Sequence, residues 1–372
     1  MDWFLIDTMR YLNKHDFEVT LVCDMDENFI MRNNDFAKCI PINLKRGIDL
    51  RGSMNTFLYL YKLFKKEKFD IVQYSTPNAA LVSSMAATLA KVPVRLYGQW
   101  GIRYVGFSGI KRKIFKAIEQ ITCYFSTSIE PDSKGNLRYA IEEGLYSKEK
   151  GSVVWNGSAS GVNLNKYDIT KKEIWDNEIR EMHGISTTAF VIGFVGRITR
   201  DKGINELLNA TKSILEDNSD VYLFLIGDED EIQTIDNSLR QWSISEKRVK
   251  YFGKSNEVEK YLSAMNIFVL PSYREGFGTV VIEAEAMGVP VIVTDIPGPT
   301  EAMEENETGF VVRKSDGKDL EKTIRKALKN RDGLQSMGAN GREFVTKNFD
   351  QKLLFQKILD RRLSLLELVK HE

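Results

Sequence analysis

Histidine and cysteine are scarce in this chain, with three of each among 372 residues. Cys23, Cys39 and Cys123 form no C-x-x-C pair, and none lies near a cluster of histidines. That spacing excludes a disulfide framework and a zinc site of the usual kind, and it points to a reducing cytoplasm. No uninterrupted run of about 18 apolar residues occurs, so no spanning helix is expected, and no secretory leader is recognisable. An excess of one charge is missing as well: 52 Lys+Arg balance 52 Asp+Glu. A nucleic-acid partner is therefore not expected. What is there is an ordinary globular composition, 42% hydrophobic and 28% charged, on a chain long enough for two domains. The balance is local, not uniform. Residues 1–167 carry more base than acid and the remainder the reverse, which either suits a phosphate-bearing or anionic surface near the first half or is chance asymmetry.

The second half alternates strand and helix signals. Phe190–Gly196, Tyr222–Ile226, Val249–Phe252, Ile267–Leu270 and Val289–Thr294 are short apolar runs that read as buried strands. Between them, apolar residues recur at helical spacing, as in Ile204, Leu207, Leu208, Thr211, Ile214 and Leu215. Helices are also expected around 232–242, 257–265 and 279–287. Such alternation predicts a parallel sheet with helices on both faces. The first half repeats the theme less cleanly. Strands are expected at Val19–Cys23, Ile71–Ser75 and Val92–Tyr97, helices at Met54–Phe64 and Ala79–Ala90, and a turn at Asn156-Gly157-Ser158, into which Val153–Trp155 leads. Residues 2–12 read as a helix where such a domain would open with a strand, so the first strand is either absent or lies upstream. The polar, lysine-rich stretch 167–188 marks the crossing between domains near residue 165. The expected division is 1–165, 166–348 and a terminal helix in 349–372.

The strongest chemical signal is Glu275-Gly276-Phe277-Gly278-Thr279-Val280-Val281-Ile282-Glu283, directly after the strand that ends at Leu270-Pro271. Gly276 and Gly278 let backbone approach a ligand closely. Thr279 is expected to cap the next helix, whose N–H groups and positive dipole end suit a diphosphate. Glu283 sits one turn into that helix, where its carboxylate can reach back and accept hydrogen bonds from a ribose diol. Glu275 sits in the loop. A second signal, Gly196-Arg197 followed by Lys202-Gly203, leaves the strand ending at Val195. A guanidinium fork and an ammonium at a strand's carboxyl end can neutralise a leaving diphosphate. Each signal alone is also compatible with a solvated turn. Their joint occurrence in one expected sheet is what argues for a site.

These residues resemble the GT-B glycosyltransferases, in particular the large retaining family 4. The matching segments are Phe194–Ile198, Lys202-Gly203, Phe224–Asp228, Tyr251–Gly253 and Pro271 through Glu283. Thr76-Pro77, Val92-Pro93-Val94, Asn156-Gly157-Ser158 and Gly161-Val162-Asn163 look like bacterial capsule and polysaccharide transferases. The resemblance implies an α/β fold of two Rossmann-like parallel-sheet domains facing across a cleft. The first would bind the acceptor and the second the nucleotide sugar, and the terminal helix would cross back to the first. Arg197, Lys202 and Glu275 would be catalytic, with the two cations on the donor diphosphate and Glu275 at the donor sugar. Glu283 would hold the ribose. Gly196, Gly276 and the backbone of Phe277, Gly278, Thr279 and Val280 would meet phosphate and sugar, and Phe252–Lys254 would flank the base. The implied reaction retains anomeric configuration and needs no metal or further cofactor, the nucleotide sugar being a co-substrate, with uridine expected. One departure concerns a histidine that related enzymes often carry. Gly98-Gln99-Trp100-Gly101-Ile102-Arg103 takes its place, which makes Gln99, Trp100 and Arg103 the acceptor-side candidates.

Lys111, Arg112, Lys113 and Lys116 interleave with Ile110, Ile114, Ile118, Ile121 and Phe125. Such a basic amphipathic helix suits an anionic membrane surface and a lipid-linked acceptor, or equally a helix packed on its own sheet with lysines in water. The expected protein is thus a cytoplasmic transferase, peripheral on the inner face of the membrane, acting on a saccharide or lipid-linked precursor. Two alternatives stay open: a nucleotide-sugar epimerase on the same architecture, and a catalytically impaired nucleotide-sugar-binding protein.

Overall fold

The computed structural model describes residues 5–42 and 50–370. The chain divides into two compact units, one of residues 1–160 with 352–372 and one of residues 161–351. The division falls at residue 160, a few residues before the expected boundary at 165.

The second unit is built on one six-stranded parallel sheet. Its strands are β6 (Phe190–Val195), β7 (Val221–Ile226), β8 (Val249–Gly253), β9 (Ile267–Leu270), β10 (Val291–Thr294) and β11 (Gly309–Val312). They lie in the order β11-β10-β9-β6-β7-β8. All pair in parallel, with Ile192 opposite Ile267 where β6 meets β9. Apolar runs of four to six residues fit strands covered on both faces, and every side chain of β9 and β10 is buried. Chain order reverses between β6 and β9, the point at which open α/β sheets place their ligands. Helix α8 (Ile204–Asp217) buries Ile204, Leu207, Leu208, Thr211, Ile214 and Leu215, the residues that its spacing marks. The stretch at 167–188 differs from the expected polar crossing. It contains α7 (Lys172–His183), closed by Gly184 in the left-handed conformation. The periodicity there is faint because α7 buries only Ile179 and Arg180.

In the first unit, α1 (Ile6–Asn13) comes first among the described residues, and Asp2-Trp3-Phe4 lie outside them. Strands β1 (Val19–Cys23) and β2 (Ala37–Pro41) pair with each other. Strands β3 (Ile71–Tyr74), β4 (Val94–Gln99) and β5 (Ser128–Pro131) form a separate parallel sheet. Gly151 makes a single bridge to Ile129, and a turn follows at Trp155-Asn156, at the start of the expected turn segment. The helices that follow β2, β3 and β4 are α3 (Leu50–Glu67), α4 (Pro77–Leu89) and α5 (Gly109–Phe125). The last helix, α14 (Gln351–Lys370), lays Leu365 and Leu366 against Ile71, Val94 and Leu96. Arg362 of α14 donates two hydrogen bonds of 2.8 Å to the Glu130 carboxylate of β5, and both side chains are buried. No helix among the described residues is long and apolar enough to cross a membrane.

Candidate active site

The loops leaving β6 and β9 emerge side by side because those strands are neighbours. Three contacts join them, and a fourth ties the β9 loop to α8. Lys202 Nζ donates to Glu275 Oε1 at 2.6 Å. Arg274 donates to the Asp201 carboxylate at 3.0 Å, and the Tyr273 amide donates to the Asp201 carbonyl at 2.9 Å. The Tyr273 hydroxyl donates to Glu206 on α8 at 2.7 Å. Ser272 adds a 2.7 Å hydrogen bond to the same Glu275 oxygen that Lys202 holds. Behind it, Thr294 on β10 braces the Ser272 carbonyl at 2.6 Å. Lys202 and Glu275 keep only 18% and 13% of their side-chain surface, so the pair is largely shielded from water. Glycine is required at 203, where φ is +73° and a Cβ would lie 2.0 Å from the Pro271 carbonyl oxygen. That close approach lets the two loops touch.

Helix α11 (Thr279–Ala286) starts from the β9 loop. Its N-cap is Gly278, at φ +84°, and not the expected Thr279, which is already helical; no side chain caps this end. The Phe277 side chain is 2% exposed and packs on Phe349 at 5.2 Å, so only its backbone can serve the site. An uncapped helix start beside Lys202 is electropositive. Glu283, one turn along, is crowded by Tyr167. Burial pushes its carboxyl above the ordinary range, and the Tyr167 hydroxyl and Lys166 only partly offset this. Burial, and then the Glu283 carboxylate beside it, hold the Tyr167 hydroxyl well above its usual value. Asp201 goes the other way. Burial opposes ionisation, but Thr199, Arg274, Lys202 and Arg197 outweigh it and hold the carboxyl low.

Gly196 is half-buried at the end of β6, and Arg197 beside it is exposed and pairs with Asp230 at 2.8 Å. Gly276 and Val280 are half-buried near the start of α11. Phe252 is a packing residue: His183, Phe224 and Tyr261 surround its ring at 4.7–4.9 Å. An expected contact to a base from this segment therefore falls to backbone and to exposed Lys254. Sequence reading missed Asp201, Ser272, Arg274 and Tyr167. Ser272 and Arg274 lie within the quoted segment from Pro271 to Glu283, and Asp201 directly precedes Lys202; the charges of Asp201 and Arg274 were the available signal.

The three acceptor-side candidates are not brought together. Gln99 is fully buried, which corrects its expected place as a ligand contact. It donates to Glu119 at 2.6 Å and accepts from Tyr146 at 2.9 Å, while Tyr97 donates to the same Glu119 oxygen. Trp100 is half-buried and lines a small cavity of mixed character with Leu5, Met9, Gln73, Ile358 and Arg362. Arg103 is exposed, 5.0 Å above the Phe115 ring of α5.

Residues 176–344 match the family described as glycosyl transferases group 1, and residues 2–133 match the family described as glycosyl transferase 4-like. The chain is 31% identical over 350 residues to the capsular polysaccharide biosynthesis glycosyltransferase CapM of Staphylococcus aureus, covering 94% of this chain and 90% of that one. The chain belongs to the GT-B glycosyltransferases of the capsule and exopolysaccharide type. The transferase is also 26% identical to the UDP-Gal:alpha-D-GlcNAc-diphosphoundecaprenol alpha-1,3-galactosyltransferase of Escherichia coli, over 97% of this chain and 92% of the relative. Among solved structures, Anabaena HepE in complex with UDP and glucose superposes with a TM-score of 0.79 at 19% identity, covering 97% of this chain and 95% of that one. It supports the fold: two α/β units with parallel sheets.

Proposed function

We propose that this transferase moves a hexose or N-acetylhexosamine from a UDP-sugar to a lipid-linked saccharide, with retention at the anomeric carbon. The observation that carries the reading is the Lys202–Glu275 pair beside the uncapped start of α11, at the switch point of the sheet. Lys202, Arg197 and the helix start take up the charge that develops on the departing diphosphate, so no divalent ion is needed. Glu275 meets the donor sugar beside the breaking bond, and Glu283 accepts hydrogen bonds from the ribose. The uridine donor and the lipid-linked acceptor are those for which the Escherichia coli relative is named. The first unit supplies acceptor recognition, with half-buried Trp100 and exposed Arg103 as its candidates.

The test is a screen of UDP-, GDP- and TDP-sugars for thermal stabilisation and for hydrolysis without acceptor, repeated in EDTA. Stabilisation and slow hydrolysis by a UDP-sugar, undiminished by EDTA, are expected. Absence of response to every nucleotide sugar would overturn the donor assignment. Product analysis with a GlcNAc-diphosphate lipid then reports the anomeric configuration.

A further inference from the structure

Two dipeptides face each other across the β6 and β9 loops with opposite charge orders. Asp201-Lys202 reads acid then base, and Arg274-Glu275 reads base then acid. Each side chain meets its complement: Lys202 donates to Glu275 at 2.6 Å and Arg274 donates to Asp201 at 3.0 Å. Lys202 and Glu275 are the pair proposed to meet the donor, and Asp201 and Arg274 stand directly before them in the chain. Asp201 is gripped more fully than an ordinary surface acid. The Thr199 hydroxyl donates to its carboxylate, and its carbonyl accepts the Tyr273 amide at 2.9 Å. One residue of the β6 loop thus holds two consecutive residues of the β9 loop, by main chain at Tyr273 and by side chain at Arg274. Local structure does little to fix the neighbouring pair. Lys202 ends a single turn of 3-10 helix, Arg200–Lys202, and is followed by left-handed Gly203. Glu275 lies between β9 and α11, outside helix and strand. An ammonium on a flexible four-carbon stem keeps one direction only where its surroundings hold it.

We infer that Asp201 and Arg274 are positioning residues whose ion pair keeps the two loops in register when the donor diphosphate draws Lys202 away from Glu275. The ammonium then stays on the phosphate and the carboxylate stays at the sugar, where otherwise the loops would part as their shared contact is lost. A half-exposed ion pair contributes little by itself. This one acts together with the Tyr273 amide, and the ligand displaces neither. Burial opposes ionisation of Asp201, but Thr199, Arg274, Lys202 and Arg197 outweigh it, so the pair persists at neutral pH. Asp201 also offsets the cations that receive the phosphate. The inference rests on the donor reading for the ligand that takes Lys202, and the first arm of its test does not.

Asp201→Asn and Arg274→Met remove the pair from either loop. Both positions are half-buried, so thermal melts should stay close to the native one. The ligand-free chain is first labelled with acetic anhydride and read by mass spectrometry, with exposed Lys247 as the reference. Labelling of Lys202 relative to Lys247 should be low in the native chain and rise several-fold in both variants. Hydrolysis of a UDP-sugar and affinity for UDP are then measured. kcat should fall about 10–100-fold in each variant, as misplacement of reacting groups does. UDP affinity should move in opposite directions: a few-fold tighter in D201N, which loses an anion beside Lys202, and a few-fold weaker in R274M, which loses a cation. A merely structural role would lower melting temperature, kcat and affinity together. The double variant should turn over no more slowly than the slower single one, because both losses come from one contact. Additive losses in kcat, or native labelling of Lys202 in both variants, would overturn the inference. Raised labelling in a chain that does not respond to UDP would fault the donor reading and support the loop register.

Discussion

Lys202 Nζ and Ser272 Oγ converge on one oxygen, Oε1 of Glu275, at 2.6 and 2.7 Å. The carboxylate is thus a counter-ion of the ammonium that is assigned to the donor diphosphate. Two substitutions separate the roles. Glu275→Gln keeps a hydrogen-bond acceptor for both donors and should leave UDP affinity within a few-fold while removing most turnover. Lys202→Ala removes a charged hydrogen bond of about 1.5–3 kcal/mol and should weaken UDP binding about 10–100-fold. Calorimetry with UDP and a hydrolysis assay read the two effects. Native turnover in Glu275→Gln would remove Glu275 from the site.

Arg197 is more exposed than Lys202 and has a rival partner in Asp230, at 2.8 Å. Its contribution to UDP binding should therefore be smaller and more salt-sensitive. Arg197→Ala is expected to cost a few-fold in affinity at low salt, with the difference shrinking as salt rises. Asp230→Asn, by freeing the guanidinium, should tighten binding slightly. Calorimetric titrations at two ionic strengths check both.

The contact of the two loops depends on Gly203, so Gly203→Ala tests the architecture and not the chemistry. A left-handed alanine costs about 1–2 kcal/mol, and its Cβ would also meet backbone at 2.0 Å. Destabilisation of about 2 kcal/mol or more is expected, with weakened UDP binding in the folded fraction. Thermal melts with and without UDP measure it.

The second unit was largely legible because its strands are apolar runs closed by glycine or proline, as at Val195-Gly196 and Leu270-Pro271. Helix α8 follows its spacing residue by residue. Strand β5 was not legible, since its sequence Ser-Ile-Glu-Pro reads as a loop. Its glutamate becomes buriable only through Arg362, which lies 232 residues away in sequence. Strand β2, with Lys38 exposed and Pro41 at its end, lacks both alternation and an apolar run. The acceptor-side trio failed for a similar reason. Position in a loop motif said nothing of direction, and Gln99 turns inward because Glu119 and Tyr146 satisfy its amide.

The Arg362–Glu130 pair ties α14 to β5, and its removal should be costly. Glu130 is 7% exposed and Arg362 5%. Arg362→Ala would leave a buried carboxylate supported only by Arg361 at 3.4 Å. Breaking a buried pair on one side costs about 3–5 kcal/mol. Arg362→Met with Glu130→Gln should recover much of the loss, since neither partner is then an unpaired charge. Denaturant melts of Arg362→Met, of Glu130→Gln and of the double variant provide the cycle, with Arg362→Ala beside them.

Glu119 gives a pH dependence of fixed sign. Burial raises its carboxyl above the ordinary value, and hydrogen bonds from Gln99 and Tyr97 only partly offset this. The folded state therefore holds the Glu119 proton to higher pH than the unfolded chain does. Between the ordinary carboxylate value, about 4.3, and the raised folded value, the native state binds more protons, so this group's contribution to stability falls as pH rises. It is fully present below the unfolded value and lost above the folded one. Glu119→Gln keeps an acceptor for Tyr97 and Gln99 but has no proton to lose. Stability of the variant relative to the native chain should thus improve with rising pH through that window and then level off. Parallel urea melts between pH 4 and 8 measure the difference, and a constant offset would mean that Glu119 titrates as an ordinary carboxylate.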